Sequence, residues 1–346
     1  MTDGMRSLLV ASAGGHLEEL WMLRPRLFGV ADEVTWVTWD TPYSRSLLRD
    51  EPHIFVRETA PRDLLGAAVN AVQAQRTLAK GEWLSVVSTG ALVAIPFLAV
   101  ARAHGIACHF IESTARVDQP SMTARLLERI PGVHRYSQYR ACYPDRRESG
   151  WVYRGSVFDS FTAGEQRSGP VRRVVVTVGT NHFSFRRLLE RVLAVVPPEV
   201  EVIWQTGWTD TSGLGIDAQV LMASDQLSAA MRSADLVIAH AGAGSAISAM
   251  RAGHRPVLVP RQALHHEHVD DHQVQIAAEL GRQGLATPLR VDDLTWPELL
   301  AGRHHVTQPS HPPTFPLVGE PERTPTPTAG RRPSLAPGWS RSAATS

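Results

Sequence analysis

Short apolar runs rich in valine and isoleucine recur at Ser7–Ala11, Val34–Trp39, Leu84–Val87 and Ala107–Ile111, each followed by a longer stretch with apolar residues at helical spacing. The pattern restarts at Arg173–Val178 and continues through Val200–Trp204, Ala234–Ala239 and Pro256–Val259. Helical stretches such as Phe185–Val195 and Val269–Leu280 lie between. Strands apolar throughout need cover on both faces, which alternating helices supply. Each series therefore predicts a parallel sheet, and together they predict an α/β protein with two Rossmann-like domains.

Between the two series, Thr162–Pro170 (TAGEQRSGP) is polar and contains Gly and Pro, as an exposed connection does. Past Gly302 the chain becomes rich in proline and poor in periodic apolar residues, a composition that cannot bury a core. The expected layout is a first domain over 1–161, a linker over 162–170, a second domain over 171–302 and a disordered tail over 303–346.

Composition removes several function classes. The chain carries 35 basic and 34 acidic residues, a net charge of +1, so no global field draws it to nucleic acid and no nucleic-acid partner is expected. Two cysteines, Cys108 and Cys142, make neither a disulfide framework nor a zinc site by themselves, which fits a reducing, cytoplasmic compartment. The apolar run at the N-terminus leads straight into a glycine turn and reads as a first strand, not a leader. The uncharged stretch Leu84–Ala101 is broken by Ser85, Ser88, Gly90 and Pro96, so it reads as strand, turn and buried helix, not as a membrane span.

Glycine-rich turns follow several strands: Ser12-Ala13-Gly14-Gly15-His16, Ser88-Thr89-Gly90, Val178-Gly179-Thr180, Gln205-Thr206-Gly207 and His240-Ala241-Gly242-Ala243-Gly244-Ser245. The last opens a helical stretch, so its free backbone N–H groups and the helix dipole favour an anion, and Ser245 adds a hydroxyl donor. Taken alone, Gly242 and Gly244 need only make a tight turn. With the other turns at strand C-termini, where open α/β sheets converge on one crevice, a nucleotide diphosphate is the natural guest, held without a metal. The first βα turn, SAGGHL, lacks the GxGxxG spacing, which argues against NAD.

The segment Ala234–Arg261, ADLVIAHAGAGSAISAMRAGHRPVLVPR, followed by EHVDDHQ, resembles the donor-binding half of the MurG-like family 28 glycosyltransferases of GT-B fold. VVVTVGTNHFSFRRLLERV is similar to PssE-type donor subunits. ASAGGHLEEL, STGALVAIPFLAVARAHG, FIESTARVDQPSMTARLL and YRGSVFD are similar to PssD-type acceptor subunits. The similarity runs from about Leu8 to Leu300, acceptor half first, as in a fusion of two components that together form the UDP-GlcNAc transferase of dolichol-linked oligosaccharide synthesis. It implies two domains facing a cleft, a UDP-sugar as co-substrate with no further cofactor, and a polyprenyl-diphosphate-linked acceptor met at the inner face of the membrane.

Inverting sugar transfer needs a base for the acceptor hydroxyl and donors for the leaving diphosphate. His16, directly after Gly14-Gly15 at a helix start, is the first candidate base, and Glu112, at the end of an apolar strand, is the rival base or orienter. Gly14, Gly15, Ser88, Thr89 and Gly90 are assigned to the acceptor. Gly179, Thr180, Gln205, Gly207, His240, Gly242, Gly244 and Ser245 are assigned to the donor nucleotide, and the resemblance adds Asp271, His272 and Gln273 for the donor sugar. His268 and His272, four apart, also invite a metal. HEHVDDH is not HExxH, however, because Asp270 stands where the second histidine belongs, and no metal is expected. One departure from the family is Ser248, where many members carry a glutamate for the ribose hydroxyls. A UDP-sugar 2-epimerase of the same fold and a silent GT-B scaffold are the alternative readings.

Overall fold

The computed structural model describes residues 6–29, 32–60, 63–140, 150–180, 182–309 and 311–319. The first domain runs β1 (Arg6–Ala11), α1 (Gly15–Leu27), β2 (Glu33–Trp39), α2 (Pro42–Leu47), β3 (His53–Val56), α3 (Leu64–Leu78), β4 (Ser85–Gly90), α4 (Ala94–Ala103), β5 (Ala107–Ile111), α5 (Met122–Leu127), β6 (Val133–Ser137) and β7 (Trp151–Tyr153). Its seven strands are parallel in the order β3-β2-β1-β4-β5-β6-β7, with the chain reversing direction beside β1 and β4. Open α/β sheets form a ligand crevice where the strand order reverses, which is at the C-terminal ends of those two strands.

The second domain runs β8 (Thr162–Gln166), β9 (Arg173–Thr177), α6 (Arg186–Val195), β10 (Glu201–Gln205), β11 (Ala218–Gln219), α7 (Ser224–Ser233), β12 (Leu236–His240), α8 (Ala243–Arg251), β13 (His254–Arg255), β14 (Val257–Val259), α9 (His272–Arg282), β15 (Thr287–Pro288), α10 (Trp296–Ala301) and β16 (His304–Thr307). Its six-stranded parallel sheet has the order β11-β10-β9-β12-β14-β15 and switches between β9 and β12. The strands predicted from apolar runs all form, within three residues of their expected ends. The short strands β3 and β6, with polar residues among the apolar ones, and the three-residue β7 were not visible as runs.

The two domains share a core. Leu17, Leu20 and Leu23 of α1 pack in one buried cluster with Ala243, Ala246, Ile247 and Met250 of α8. Small alanines on α8 let the two helices lie close, so the first helix of one domain packs on the glycine-turn helix of the other. Among the described residues, no helix is long and apolar enough to cross a membrane. α4 is a packed helix, burying Ala94, Pro96, Phe97, Leu98 and Ala101.

Two expected boundaries need correction. The linker is not a bare connection: Thr162–Gln166 is strand β8, pairing antiparallel with β16 in the register Thr162↔Thr307 and Ala163↔Val306. The outgoing and returning chain cross between domains side by side and satisfy each other's backbone groups, while β8 stays exposed, hence its polar composition. Nor is residue 303 the start of a disordered tail. Phe315 is fully buried and Leu317 nearly so, in the cluster shared with α1. The buried Arg26 guanidinium donates to the Pro313 carbonyl at 2.7 Å, and Phe315 N–H donates to the Arg26 carbonyl at 2.9 Å. The proline-rich average hid two apolar anchors. Residues 320–346 lie outside the described residues.

Candidate active site

The glycine turns after β1 and β12 meet face to face. A Cβ on Gly244 would stand 2.6 Å from Gly15 Cα, and one on Gly14 would stand 3.2 Å from Thr180 Oγ1. Gly14, at φ 87°, caps α1, and Gly242 caps α8. Glycine is therefore required here for backbone to approach backbone across the cleft, as well as for the turns themselves. The same contact brings two helix N-termini to one place, each with free N–H groups and the positive end of its dipole. Ser245 lies half-buried in the first turn of α8.

His16 stands in the first turn of α1. Its seat is built by the second N-terminal turn: Thr89 Oγ1 donates to the His16 carbonyl at 2.8 Å, Gly90 N–H donates to Ser88 Oγ at 3.1 Å, and a Cβ on Gly90 would lie 3.3 Å from His16 Cε1. Ser88, Thr89 and Gly90 thus hold the histidine from below. Burial pulls the imidazole down to about 4, with the Arg116 charge adding to the effect.

Glu112 is also buried, but its carboxylate accepts from Ser113 N–H at 3.1 Å and Ser121 N–H at 2.8 Å. It pins the loop after β5, the geometry of an orienter. Burial still pushes its pKa up. Two glutamates that sequence reasoning passed over are buried on α1. Glu19 accepts from Thr114 N–H at 2.7 Å and from Gln138, and burial raises it to about 7. Glu18 crosses the domain boundary to Arg251 of α8 at 2.6 Å and accepts from Tyr43. The signal was present in the paired acids of GHLEEL, whose neighbours Leu17 and Leu20 are core residues.

In the second domain, His240 ends β12 beneath two glycines: a Cβ on Gly179 or Gly242 would lie 2.3 or 2.2 Å from its ring. Burial holds its pKa well below the ordinary value. Gln205 is tied into the sheet, donating to Thr177 Oγ1 at 3.0 Å and accepting from Met222 N–H at 3.2 Å. Gly207, at φ 54°, turns the chain after β10, and the next residue, Trp208, is exposed and stacked on His182 at 5.0 Å.

In the DHQ segment the three side chains part company. Asp271 caps α9 and accepts from Ala263 N–H at 2.9 Å, and Gln273 accepts from Arg261 N–H at 3.0 Å. His272 turns its Nδ1 onto Asp270, whose other oxygen accepts from Arg116 of the first domain at 2.9 Å. That Arg116–Asp270 pair spans the cleft. Arg261, fully buried and also missed from sequence, donates to the carbonyls of Val178 and Phe183 at 2.9 and 2.8 Å and braces the Gly179 turn. A groove of about 570 Å³ between α2 and α7, lined by Asp40, Arg45, Arg49 and Ala223 among others, contains none of these residues. At the turns themselves the cleft is closed by the Gly15–Gly244 contact.

Residues 173–309 match the family model "Glycosyltransferase family 28 C-terminal domain". That match lies within the second domain and includes the Gly242–Ser245 turn. The UDP-N-acetylglucosamine–N-acetylmuramyl-(pentapeptide) pyrophosphoryl-undecaprenol N-acetylglucosamine transferase of Thiobacillus denitrificans is 31% identical over 195 residues, 51% of this chain and 52% of that protein. The chain thus spans about half the length of that curated relative. The UDP-N-acetylglucosamine transferase subunit ALG13 of Yarrowia lipolytica is 45% identical over 60 residues, 17% of this chain and 29% of the subunit. At the level of fold, the two domains together resemble the crystal structure of Acinetobacter baumannii MurG, with a TM-score of 0.52 at 22% identity over 86% of this chain and 88% of that one. The UDP-GlcNAc 2-epimerase of Methanocaldococcus jannaschii gives 0.54 at 9% identity, over 86% and 91%. The fold is GT-B, and it serves more than one reaction.

Proposed function

We propose that the protein is an inverting glycosyltransferase that moves a sugar, GlcNAc or another hexose, from a UDP-sugar to a polyprenyl-diphosphate-linked acceptor in polysaccharide or envelope glycan synthesis. The observation that carries this reading is the meeting of two helix N-termini, at Gly15 and Ala243, with His16 beside them. A leaving diphosphate needs preorganised N–H donors and positive potential where its charge develops, and two converging helix starts supply both. The family 28 match over the half that carries Gly242–Ser245 supports the donor assignment, as do the UDP-GlcNAc transferase names of the relatives.

In this reading the acceptor hydroxyl attacks the anomeric carbon and gives its proton to His16. The bond from that carbon to the β-phosphate oxygen breaks, and the electron pair leaves with UDP. An imidazole with a pKa of about 4 is neutral at physiological pH and free to accept the proton. Diphosphate charge brought beside it favours the imidazolium and strengthens the base when substrate is bound. Binding requires the Gly15 and Gly244 turns to separate, with Glu18–Arg251 and Arg116–Asp270 as the pairs that hold them together.

The lipid-linked acceptor and a peripheral position on the membrane draw support from α3, which leaves Leu64, Leu65, Val69 and Val72 exposed in the acceptor domain. Thermal stabilisation by UDP, UDP-GlcNAc, GDP, dTDP and NAD tests the donor site, with Ser245→Ala as the variant. A shift with UDP ligands that shrinks in Ser245→Ala supports the reading, and a shift with NAD alone, or with nothing, removes it. Conversion of UDP-GlcNAc into its 2-epimer without an acceptor would favour the epimerase instead.

A further inference from the structure

We propose that His268, Asp270 and His272 form a binding site for a divalent cation of the zinc class at the edge of the interdomain cleft. The sequence spacing put His268 and His272 on one helix face, and the metal was set aside because HEHVDDH is not HExxH. In the structure α9 starts only at His272, and His268 stands in the turn before it. That turn folds residues 268, 270 and 272 inward together. One ligand atom from each lies within 4.8 Å of the others.

The His268–Asp270 spacing is close to what a cation requires, and the His272–Asp270 contact would open to admit one. His268 Nδ1 stands 3.5 Å from Asp270 Oδ1, and His272 Nδ1 contacts the same oxygen. Ligand atoms around tetrahedral zinc, each about 2.0–2.1 Å from the metal, stand roughly 3.3 Å apart. The two imidazoles meet edge to face, with centroids 4.5 Å apart and planes at 86°, so their nitrogens approach one point from different directions.

A second observation comes from His268 itself. Its side chain is only 8% exposed, and its Nδ1 is enclosed without a hydrogen-bond partner. A buried polar atom left in that state is costly, and a cation between the three residues would satisfy it. The surroundings suit a metal as well. The Phe183 ring lies 4.6 Å from the His268 ring and walls the site from behind. Arg116 holds the remaining oxygen of Asp270 at 2.9 Å, fixing the carboxylate from the outer shell.

The donor set decides the class of ion. Two imidazoles and one carboxylate suit zinc or a similar transition cation, whereas magnesium and calcium prefer oxygen-only shells. Three protein ligands leave a fourth tetrahedral position open, for water or for an oxygen of a bound substrate. The cation site involves none of the glycine-turn residues and stands or falls independently of the transferase reading.

The test is equilibrium dialysis of the EDTA-stripped full chain against Zn2+, and visible spectroscopy of the same protein with Co2+, both without nucleotide. The expected result is one zinc per chain and the intense visible bands of tetrahedral cobalt. His268→Gln and His272→Gln should each weaken binding at least tenfold, two variants so that a failure of one to fold leaves the other. The exposed pair His265→Gln/His266→Gln should retain the site. Absence of stoichiometric zinc, an octahedral cobalt spectrum, or binding that follows His265 and His266 would overturn the proposal.

Discussion

His16 and Glu19 sit one turn apart on α1, and burial moves them in opposite directions because it disfavours the charged form of each. For His16, the base of the proposed reaction, the consequence is kinetic. A base acts when deprotonated, so a free-enzyme pKa of about 4 places the acid limb of kcat/KM near pH 4 and leaves the profile flat from about pH 5 to 8. His16→Ala should lower kcat by roughly 10²–10⁴-fold while the UDP thermal shift persists. A limb near pH 6.5 with that variant still active would pass the role to another group. For Glu19 the consequence is stability. Its folded pKa of about 7 lies above the ordinary glutamate value of 4.5, so between those values the folded state binds more protons and stability falls as pH rises. Glu19→Gln keeps an acceptor for Thr114 N–H and cannot ionise. Its melting temperature should exceed the wild type's by roughly 2 °C or more at pH 8, and the difference should close at pH 5. An unchanged difference across that range would show that Glu19 does not titrate there.

At the scale of elements, the cleft is set by how two helix starts touch. Gly15 and Gly244 look alike in sequence, both in a turn before a helix, but their surroundings differ. A Cβ on Gly15 would meet Gly244 N at 3.4 Å, an ordinary contact, whereas one on Gly244 would meet backbone at 2.6 Å, a distance that forces movement. Gly15→Ala should therefore change stability by less than about 0.5 kcal/mol, and Gly244→Ala should cost about 1–3 kcal/mol as α1 and α8 are driven apart. Chemical denaturation of the two variants checks the contrast. Equal costs would mean that the turns do not touch in solution. The same elements explain why the DHQ residues were hard to rank from sequence. Helix α9 begins at His272, so Asp271 becomes a cap and Gln273 points into the sheet, and only His272 remains beside the cross-cleft Asp270–Arg116 pair.

For the whole molecule, the chain's return to the first domain matters as much as the two sheets. Residues 311–319 lie against α1, with Phe315 buried beside Tyr136 at 5.6 Å between ring centroids and Val318 N–H donating to the Tyr136 hydroxyl at 2.8 Å. A chain ended after Thr307 would lose that burial and leave the Arg26 guanidinium without its Pro313 partner. Loss of one buried phenylalanine costs about 3 kcal/mol or more, so this truncation should lower the melting temperature by several degrees. A truncated chain that melts with the full-length protein would show that the strap contributes nothing.

Apolar periodicity alone determined the two parallel sheets, because a strand buried on both faces must be apolar throughout and leaves an unbroken run. Glycine at strand ends and the family resemblance of AHAGAGSAISAM and EHVDDHQ singled out the Gly242–Ser245 turn, since backbone approach and positive φ restrict residue type locally. Tertiary structure decided what depends on partners distant in sequence. It paired Glu18 with Arg251, set Arg261 under the Gly179 turn and closed β8 on β16. It also gathered His268, Asp270 and His272 at one point. A side chain's charge state and contacts follow from what the fold packs around it, and no local spacing records which residue that will be.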